Sequence, residues 1–258
     1  MTNPSVSQRV CSKLAALERD HAVRVLYACE SGSRAWGFAS PDSDYDVRFV
    51  YVHRRDWYLS VRERRDVVEM PLEGDLDVSG WELRKALRLL RKSNPSLLEW
   101  FGSPFVYRQD PAFAAEFRQV AAAYTSPQRC FVHYLHMAFG NWRSYLKDRE
   151  EVKLKKYLYV LRPLLACRWV ERGLGPVPVV FQKLVDAVLD EAPVREELAA
   201  LLERKQANDE SAVVPAVPVL SHFAETELAR LDALPGFESP EPDQEELDQF
   251  FRRHCPAA

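Results

Sequence analysis

The amino-acid sequence predicts an α+β fold, in which a mixed β-sheet with flanking helices over residues 1–110 precedes an all-helical domain over residues 111–258. Two apolar runs, residues 23–28 and 47–52, have the length of buried strands. From about residue 110 onward the strand signals fade, and apolar residues recur at helical spacing. This change of periodicity sets the predicted domain boundary.

The composition is that of an ordinary globular protein, with 47% apolar and 28% charged residues among 258. The net charge of −3 gives no global basic signature, so a nucleic-acid partner would need a local basic patch. The five scattered cysteines form no CxxC pair, which argues against a zinc site or a disulfide framework and favours a reducing cytoplasm. There is neither an apolar stretch of about 18 residues nor a signal-peptide pattern, so no membrane partner is expected.

The elements of the first domain follow from periodicity and turn residues. Apolar residues at helical spacing predict an amphipathic first helix over residues 5–20. A strand over residues 23–29, a Gly-Ser turn and a strand over residues 46–53 follow. Residues 54–66 are dense in arginine and predict a loop with a short helical turn, either a solvated connector or a substrate-facing patch. Residues 67–78 predict a hairpin or two short strands.

The next helix is predicted from its capping residues. Ser79 and Glu82 form a capping-box pattern, which predicts a helix from Ser79 or Gly80 to Lys92. One face of this helix carries three arginines, Arg84, Arg88 and Arg91. The helices predicted after residue 110 span 111–123, 127–149, 151–172, 179–190, 194–206, 220–233 and 243–253.

Residues 30–49 carry the functional signal of the chain. Asp44 and Asp46 open the second apolar strand, and side chains two residues apart on a strand point to the same face. Two carboxylates held side by side repel each other unless a positive charge lies between them, and a hard divalent cation is the usual solution. Gly32 and Ser33 lie just upstream, where close backbone approach and free N–H groups favour phosphate. The pattern predicts a phosphate-binding loop beside a metal site; the alternative is an acidic hairpin that binds nothing.

The spacing of these residues resembles a known signature. A Gly-Ser pair at 32–33, ten intervening residues and Asp-Tyr-Asp-Val at 44–47 resemble the DNA polymerase beta type nucleotidyltransferase superfamily. The full run GSRAWGFASPDSDYDVRF at residues 32–49 is similar to a narrower group, the predicted nucleotidyltransferases associated with RNA ligases and RNA repair. The resemblance covers the first 110 residues through motifs and extends to the segment 150–170.

The resemblance implies two Mg²⁺ ions, with Mn²⁺ as the alternative, that stabilise the attacking and leaving oxygens of nucleotidyl transfer. Asp44 and Asp46 would be metal ligands and catalytic residues. In the superfamily, a third carboxylate lies in a hydrophobic–acid–hydrophobic pattern on a later strand, which nominates Asp77, with Asp75 as the alternative. The nucleotide's phosphates would be held by three residues, Gly32, Ser33 and Arg34.

The helical domain contributes a second set of candidate residues. The segment KLKKYLYVLRPLLACRWV resembles the corresponding segment of the RNA-ligase-associated group, where a lysine and a tyrosine reach the triphosphate across the cleft that this domain closes. Lys156, Tyr159 and Arg162 recur every three residues and share about one helix face. Lys155 with the same Tyr159 and Arg162 is an equally good set, so the choice of lysine stays open. A solvated lysine face is the alternative.

The resemblance thus implies a nucleotidyltransferase that uses a nucleoside triphosphate and acts on RNA ends, in functional association with an RNA ligase. Two alternatives are a transferase of the toxin–antitoxin type that attaches AMP to a protein, and a catalytically silent nucleotide-binding module. Asp44 and Asp46 argue against the silent module, because no physical reason would retain two mutually repelling carboxylates. An RNA acceptor needs a basic groove that converges on Asp46, which the arginines of residues 54–65 and of the following helix could build.

Overall fold

The computed structural model of the chain describes residues 5–207, 213–237 and 244–256, which form two compact units. The first unit comprises the described residues of Met1–Ala35, Asp44–Thr125 and Glu241–Ala258, and the second comprises those of Trp36–Ser43 and Ser126–Pro240. None of the described helices is both long and apolar enough to cross a membrane. All five cysteines lie in the described residues and are free thiols.

The first unit combines strands with helices, whereas helices dominate the second. The strands are β1 (Val23–Glu30), β2 (Tyr45–His53), β3 (Val67–Glu69), β4 (Leu76–Glu82), β5 (Val106–Gln109), β6 (Glu151–Lys153) and β7 (Val213–Pro215). The helices are α1 (Val6–His21), α2 (Gly32–Trp36), α3 (Arg55–Tyr58), α4 (Leu83–Arg91), α5 (Pro95–Gly102), α6 (Pro111–Tyr124), α7 (Pro127–Asn141), α8 (Leu154–Glu171), α9 (Phe181–Val188), α10 (Ala192–Ala207), α11 (Pro218–Asp232) and α12 (Gln244–His254). A π-helical turn, Trp142–Leu146, continues α7.

The sheet of the first unit has the strand order β3-β4-β2-β1-β5. Strands β2 and β4 are parallel, and every other described neighbouring pair in this sheet is antiparallel, so the predicted mixed sheet is confirmed. The parallel register pairs Asp46 with Asp77 and Tyr51 with Glu82. Residues paired in register on adjacent strands share a face, so this register decides which polar side chains meet.

Each face of the sheet carries its own apolar core. Helix α1 covers one face, where Leu14 packs in the cluster that holds Val47 and Phe49. Helices α4, α5, α6 and α12 cover the other face, where Leu87 and Phe250 belong to one cluster. Because alternate residues of β2 enter opposite cores, Asp46 and Arg48 lie on the face that bears α4.

The predicted start of the fourth helix is wrong. Ser79 and Gly80 belong to β4, which continues to Glu82, and Glu82 is the N-cap of α4, accepting hydrogen bonds from the N–H groups of Arg84 and Lys85. The parallel ladder with β2 explains the difference, because seven consecutive residues of β4 pair with Tyr45–Tyr51. Non-local pairing therefore overrides the local capping pattern.

The first unit's core extends beyond residue 110, where the sequence places the boundary. Phe113 and Phe117 of α6 and Phe250 of α12 lie in the same cluster as Tyr27 of the sheet. The second unit is helical except for a two-stranded antiparallel ribbon of β6 and β7, which the sequence analysis did not predict.

Candidate functional site

The parallel pairing of β2 and β4 brings two of the predicted catalytic carboxylates to one face of the sheet. Asp46 lies directly opposite Asp77 in the register. Leu76 and Val78 are buried on the α1 side, so Asp77 between them projects from the other side, where Asp46 also lies. The alternation expected for Leu76-Asp77-Val78 is thereby confirmed.

Arg48 connects these two carboxylates. Its Nη2 atom lies 2.9 Å from Oδ1 of Asp46 and 2.7 Å from Oδ2 of Asp77. Its Nη1 atom donates to the backbone carbonyls of Val47 and Asp77 at 3.1 and 3.3 Å. One guanidinium therefore supplies the positive charge that two neighbouring carboxylates require, and it keeps the two carboxylates at a fixed distance from each other.

Gly32 lies against Asp46. Its backbone has a φ of +58°, and a Cβ atom built there would stand 2.1 Å from Oδ2 of Asp46 and 3.0 Å from its Cγ. The N–H of Ser31 donates to the carbonyl of Asp46 at 2.8 Å, which fixes the glycine turn beside β2. Only glycine combines this left-handed backbone with this close approach to a carboxylate.

Glu30 is a site residue that the sequence analysis missed. Its side chain is 2% exposed; Oε1 accepts a hydrogen bond from the N–H of Asp46 at 2.8 Å, and Oε2 accepts one from the hydroxyl of Tyr107. Burial raises the pKa of the Glu30 carboxyl above its ordinary value. Glu30 thus anchors the backbone that carries Asp46. The available signal was an acidic residue at the end of an apolar strand, immediately before the Gly-Ser turn.

Asp44 and Arg34 lie at the entrance to β2. Asp44 is exposed and directly precedes the strand. Nε of Arg34 donates to the backbone carbonyl of Asp44 at 3.2 Å, and its guanidinium lies 3.8 Å from the ring centroid of Tyr45. Ser33 lies in the first turn of the five-residue helix α2. The phosphate-binding roles of Arg34 and Ser33 stay predictions.

Asp75, the alternative third carboxylate, has a different partner. Arg9 of α1 forms an ion pair with it at 2.8 Å, and Asp75 precedes the first residue of β4. The hydrogen bond from Arg9 lowers the pKa of Asp75. Between the two candidates, Asp77 is the one that shares a guanidinium with Asp46.

The predicted residues of the helical unit form a cluster of cations and rings on α8. The ammonium group of Lys156 lies 3.6 Å from the ring centroid of Tyr145 and 4.9 Å from that of Tyr159. The ring centroids of Tyr159 and Trp36 lie 6.2 Å apart in an edge-to-face arrangement. The guanidinium of Arg162 lies 4.7 Å from the ring centroid of Trp36. The set of Lys156, Tyr159 and Arg162 is therefore contiguous. The triphosphate-binding roles of this set and of Lys155 stay predictions.

Arg162 is more buried than a ligand-binding residue needs to be. Its side chain is 3% exposed, and it donates to the carbonyl of Val179 at 3.3 Å. With its contact to Trp36, this places Arg162 in the interior of the unit. The loop between the Gly-Ser turn and the acidic pair belongs to this unit too. In this loop Phe38 is buried and packs edge-to-face with Phe181, with ring centroids 5.6 Å apart.

The acidic side chains of the first unit fit a hard divalent cation in their donor chemistry, since Asp44, Asp46 and Asp77 offer only oxygen atoms. Within the described ranges, no three carboxylate, imidazole or thiol side chains are grouped closely enough to hold a metal by themselves. Phosphate and water oxygens would therefore have to complete the coordination, which is usual for Mg²⁺.

Comparisons with known proteins match nearly the whole chain. Residues 6–253 match the model of the RNA repair pathway DNA polymerase beta family. The chain is also 45% identical over 226 residues to the uncharacterized protein YcgL of Bacillus subtilis (strain 168), an alignment that covers 88% of this chain and 86% of that protein. A solved nucleotidyltransferase-like protein from Exiguobacterium sibiricum 255-15 is similar with a TM-score of 0.32 and 13% identity, over 85% of this chain and 73% of that one. The family match runs from α1 to α12 and so includes every site residue described above.

Proposed function

We propose, from the premise that the chain belongs to the RNA repair pathway DNA polymerase beta family, that it moves a nucleoside monophosphate from a nucleoside triphosphate to a hydroxyl group at an RNA end. Membership makes it a nucleotidyltransferase of the DNA polymerase beta superfamily. One observation carries the proposal to this chain's own residues. Asp46 and Asp77 lie opposite each other on parallel strands, on one face, with the Gly32 turn against Asp46.

The residues divide the work of the transfer. Gly32 and Ser33 would hold the outgoing phosphates with backbone N–H and hydroxyl donors, and Arg34 would add charge-assisted hydrogen bonds. Glu30 fixes the backbone of Asp46 through the hydrogen bond from its N–H group. A rigid strand is needed because a carboxylate displaced by about 1 Å can cost about 10²-fold in rate.

Asp44, Asp46 and Asp77 would hold two Mg²⁺ ions through carboxylate oxygens, with Mn²⁺ as an alternative ion. When bound, the ions supply charge stabilisation to the attacking and leaving oxygens while pyrophosphate is released. Arg48 keeps Asp46 and Asp77 at a fixed separation, because it bonds both carboxylates and the backbone beneath them. Asp77, on the neighbouring strand, would help to hold the ion that activates the acceptor hydroxyl.

The RNA acceptor is supported by the family to which the chain belongs. A pathway that repairs RNA also needs a strand-joining step, so we include an RNA ligase as a functional partner. We place the reaction in the cytoplasm, because five free thiols, of which Cys29, Cys130 and Cys167 are buried, suit a reducing compartment.

The test is an incubation of the purified protein with Mg²⁺, each labelled nucleoside triphosphate, and either single-stranded RNA or a total protein extract. We expect label on RNA, release of pyrophosphate, and loss of both in Asp46→Asn. Arg19→Ala on α1 is the matched control, because Arg19 is exposed on the helix that covers the opposite face of the sheet. Label on protein but not on RNA would assign the enzyme to the protein-modifying class, and no label on any acceptor would refute the proposal.

A further inference from the structure

Four arginines line one cavity of about 250 Å³ in the first unit. Arg62 and Arg64 lie in the segment between α3 and β3, and Arg84 and Arg88 lie on the exposed side of α4. The sequence shows arginines in both segments, but only the folded chain brings them together. They meet where β2 and β4 end, around the N-cap residue Glu82.

The acidic residues around the cavity do not neutralise these arginines by direct pairing. In the described part of the chain, none of the four guanidinium groups forms an ion pair with a carboxylate. Asp66 is bonded to Lys85 at 3.0 Å, and Glu82 accepts hydrogen bonds from the Tyr58 hydroxyl and from the backbone of α4. Burial raises the pKa of the Glu82 carboxyl, so its negative charge is disfavoured there. Glu63 is exposed.

Two aromatic rings hold two of the guanidinium groups in place. Arg84 lies 5.4 Å from the ring centroid of Tyr58, and Arg64 lies 5.8 Å from that of Trp57. Trp57 is itself fixed by stacking on His53, with ring centroids 4.0 Å apart and planes at 6°. Pre-positioned guanidinium groups lose less side-chain entropy when they bind an anion, which raises the affinity that each contact provides.

The cavity lies away from the carboxylates, at the other end of the same strands. Asp77 and Glu82 are five residues apart on β4, which corresponds to about 17 Å at about 3.3 Å per residue. The four arginines of the cavity therefore do not surround Asp46 itself. A single strand whose bases stay stacked, with a rise of about 3.4 Å per nucleotide as in one strand of a duplex, covers this distance in about five nucleotides.

The size and charge of the cavity favour a chain of phosphates over a complete nucleotide. Its volume of about 250 Å³ lies below the roughly 300–1,000 Å³ of pockets that enclose small molecules. Guanidinium groups bind phosphate through paired donors, and a row of such contacts follows a nucleic-acid backbone without reading its sequence.

We infer that this arginine cavity is an accessory binding site for the phosphate backbone of a single-stranded nucleic acid whose end is the acceptor at Asp46. The inference rests on the proposed function for the identity of the acceptor, whereas binding at the cavity can be measured without catalysis. Contacts about five nucleotides from the reacting end would make the enzyme prefer acceptors longer than that length.

The binding test uses a labelled single-stranded RNA of ten nucleotides, in EDTA, followed by fluorescence anisotropy from 50 to 200 mM salt. For single strands the logarithm of affinity falls with a slope of about −0.7 per phosphate contact, so four contacts predict a loss of about 50-fold over this range. The double variant Arg84→Ala/Arg88→Ala, with about two contacts left, should lose only about 7-fold. Arg19→Ala should behave as the wild type does.

Separate outcomes distinguish the cavity from the reaction. An unchanged salt dependence in the folded double variant, or no RNA binding by the wild type at 50 mM salt, would overturn the inference. Displacement of the RNA by metal-free nucleoside triphosphate or by a polyglutamate peptide at equal charge concentration would also overturn it, in favour of a free nucleotide or an acidic protein. If binding follows the prediction but no RNA is labelled, the RNA-binding role of the cavity is supported and RNA as the acceptor is refuted. If both hold, the double variant should impair transfer to ten-nucleotide acceptors and spare transfer to three-nucleotide ones.

Discussion

The contact between Gly32 and Asp46 gives a sharp test of the site, through the substitution Gly32→Ala. The new methyl group would start 2.1 Å from Oδ2 of Asp46, whereas real Cβ contacts essentially never fall below 3.0 Å. The carboxylate must therefore move by about 1 Å, and a displacement of that size at a reacting centre costs about 10²-fold. The left-handed backbone, at a φ of +58°, adds a strain of about 1–2 kcal/mol.

Gly74 supplies a matched control for the backbone strain. Its φ is +62°, and a Cβ atom there would meet nothing within 4 Å. Gly74→Ala should therefore lower the free energy of unfolding by about 1–2 kcal/mol, the strain of a left-handed residue, and keep its activity. The difference between the two variants isolates the contact with Asp46.

The assay measures kcat/KM for pyrophosphate release together with the free energy of unfolding in urea. We expect both variants to unfold about 1–2 kcal/mol more easily, and only Gly32→Ala to lose about 10²-fold in kcat/KM. A readout without catalysis is the stabilisation by Mg²⁺ with nucleoside triphosphate, which follows from binding to the folded state. It should shrink in Gly32→Ala alone. Equal activity of the two variants would refute the role assigned to this contact.

Three further predictions test neighbouring groups. Asp77→Ala should leave the Kd for nucleoside triphosphate within a few-fold while kcat falls by about 10² or more, as for the loss of other electrostatic groups; a kcat near the wild-type value would remove Asp77 from the catalytic set. Glu30→Ala leaves the N–H of Asp46 without its acceptor and should cost about 1–3 kcal/mol in urea unfolding. Glu30→Gln retains an acceptor and should be at least as stable as the wild type at pH 7, since burial raises the pKa of the Glu30 carboxyl and disfavours its charge; equal losses in both variants would contradict this. Burial and Arg64 lower the pKa of His53 to about 4, so the unfolded chain binds the extra proton between about pH 6.5 and 4 and stability falls as the pH is lowered through that window. At ~1.4 kcal/mol per pKa unit the loss is at most about 3.5 kcal/mol, and roughly half of that for a partly exposed ring. His53→Phe should flatten the profile, and an equally steep profile in that variant would assign the pH dependence to other groups.

Several features of the site are local and were predictable from the sequence. Side chains alternate along a strand whatever the rest of the chain does, so Leu76-Asp77-Val78 was expected to place Asp77 on the face opposite its apolar neighbours. The same rule places Val47 and Phe49 of β2 on the face opposite Asp46. The Gly-Ser turn before the acidic pair was equally local, and it led to the family that the comparison confirms.

The errors arose where a local pattern competes with a distant partner. The Ser79–Glu82 capping box predicted a helix, but backbone hydrogen bonds to β2 keep those residues extended until Glu82. The helical second domain contains a ribbon because Glu151–Lys153 pairs with Val213–Pro215, about sixty residues later. Such pairings leave weak signals in short segments, since three residues are too few to show a period.

The sequence by itself determined the two central strands, the acidic pair and the face on which Asp77 lies, because these depend on periods of two and on single turns. The tertiary structure alone decided that Arg48 joins Asp46 to Asp77, since that contact needs the parallel register of two strands about thirty residues apart. It alone also decided where the arginines of two separate segments meet. They meet at the far end of β4 from Asp77, because α4 starts where that strand stops.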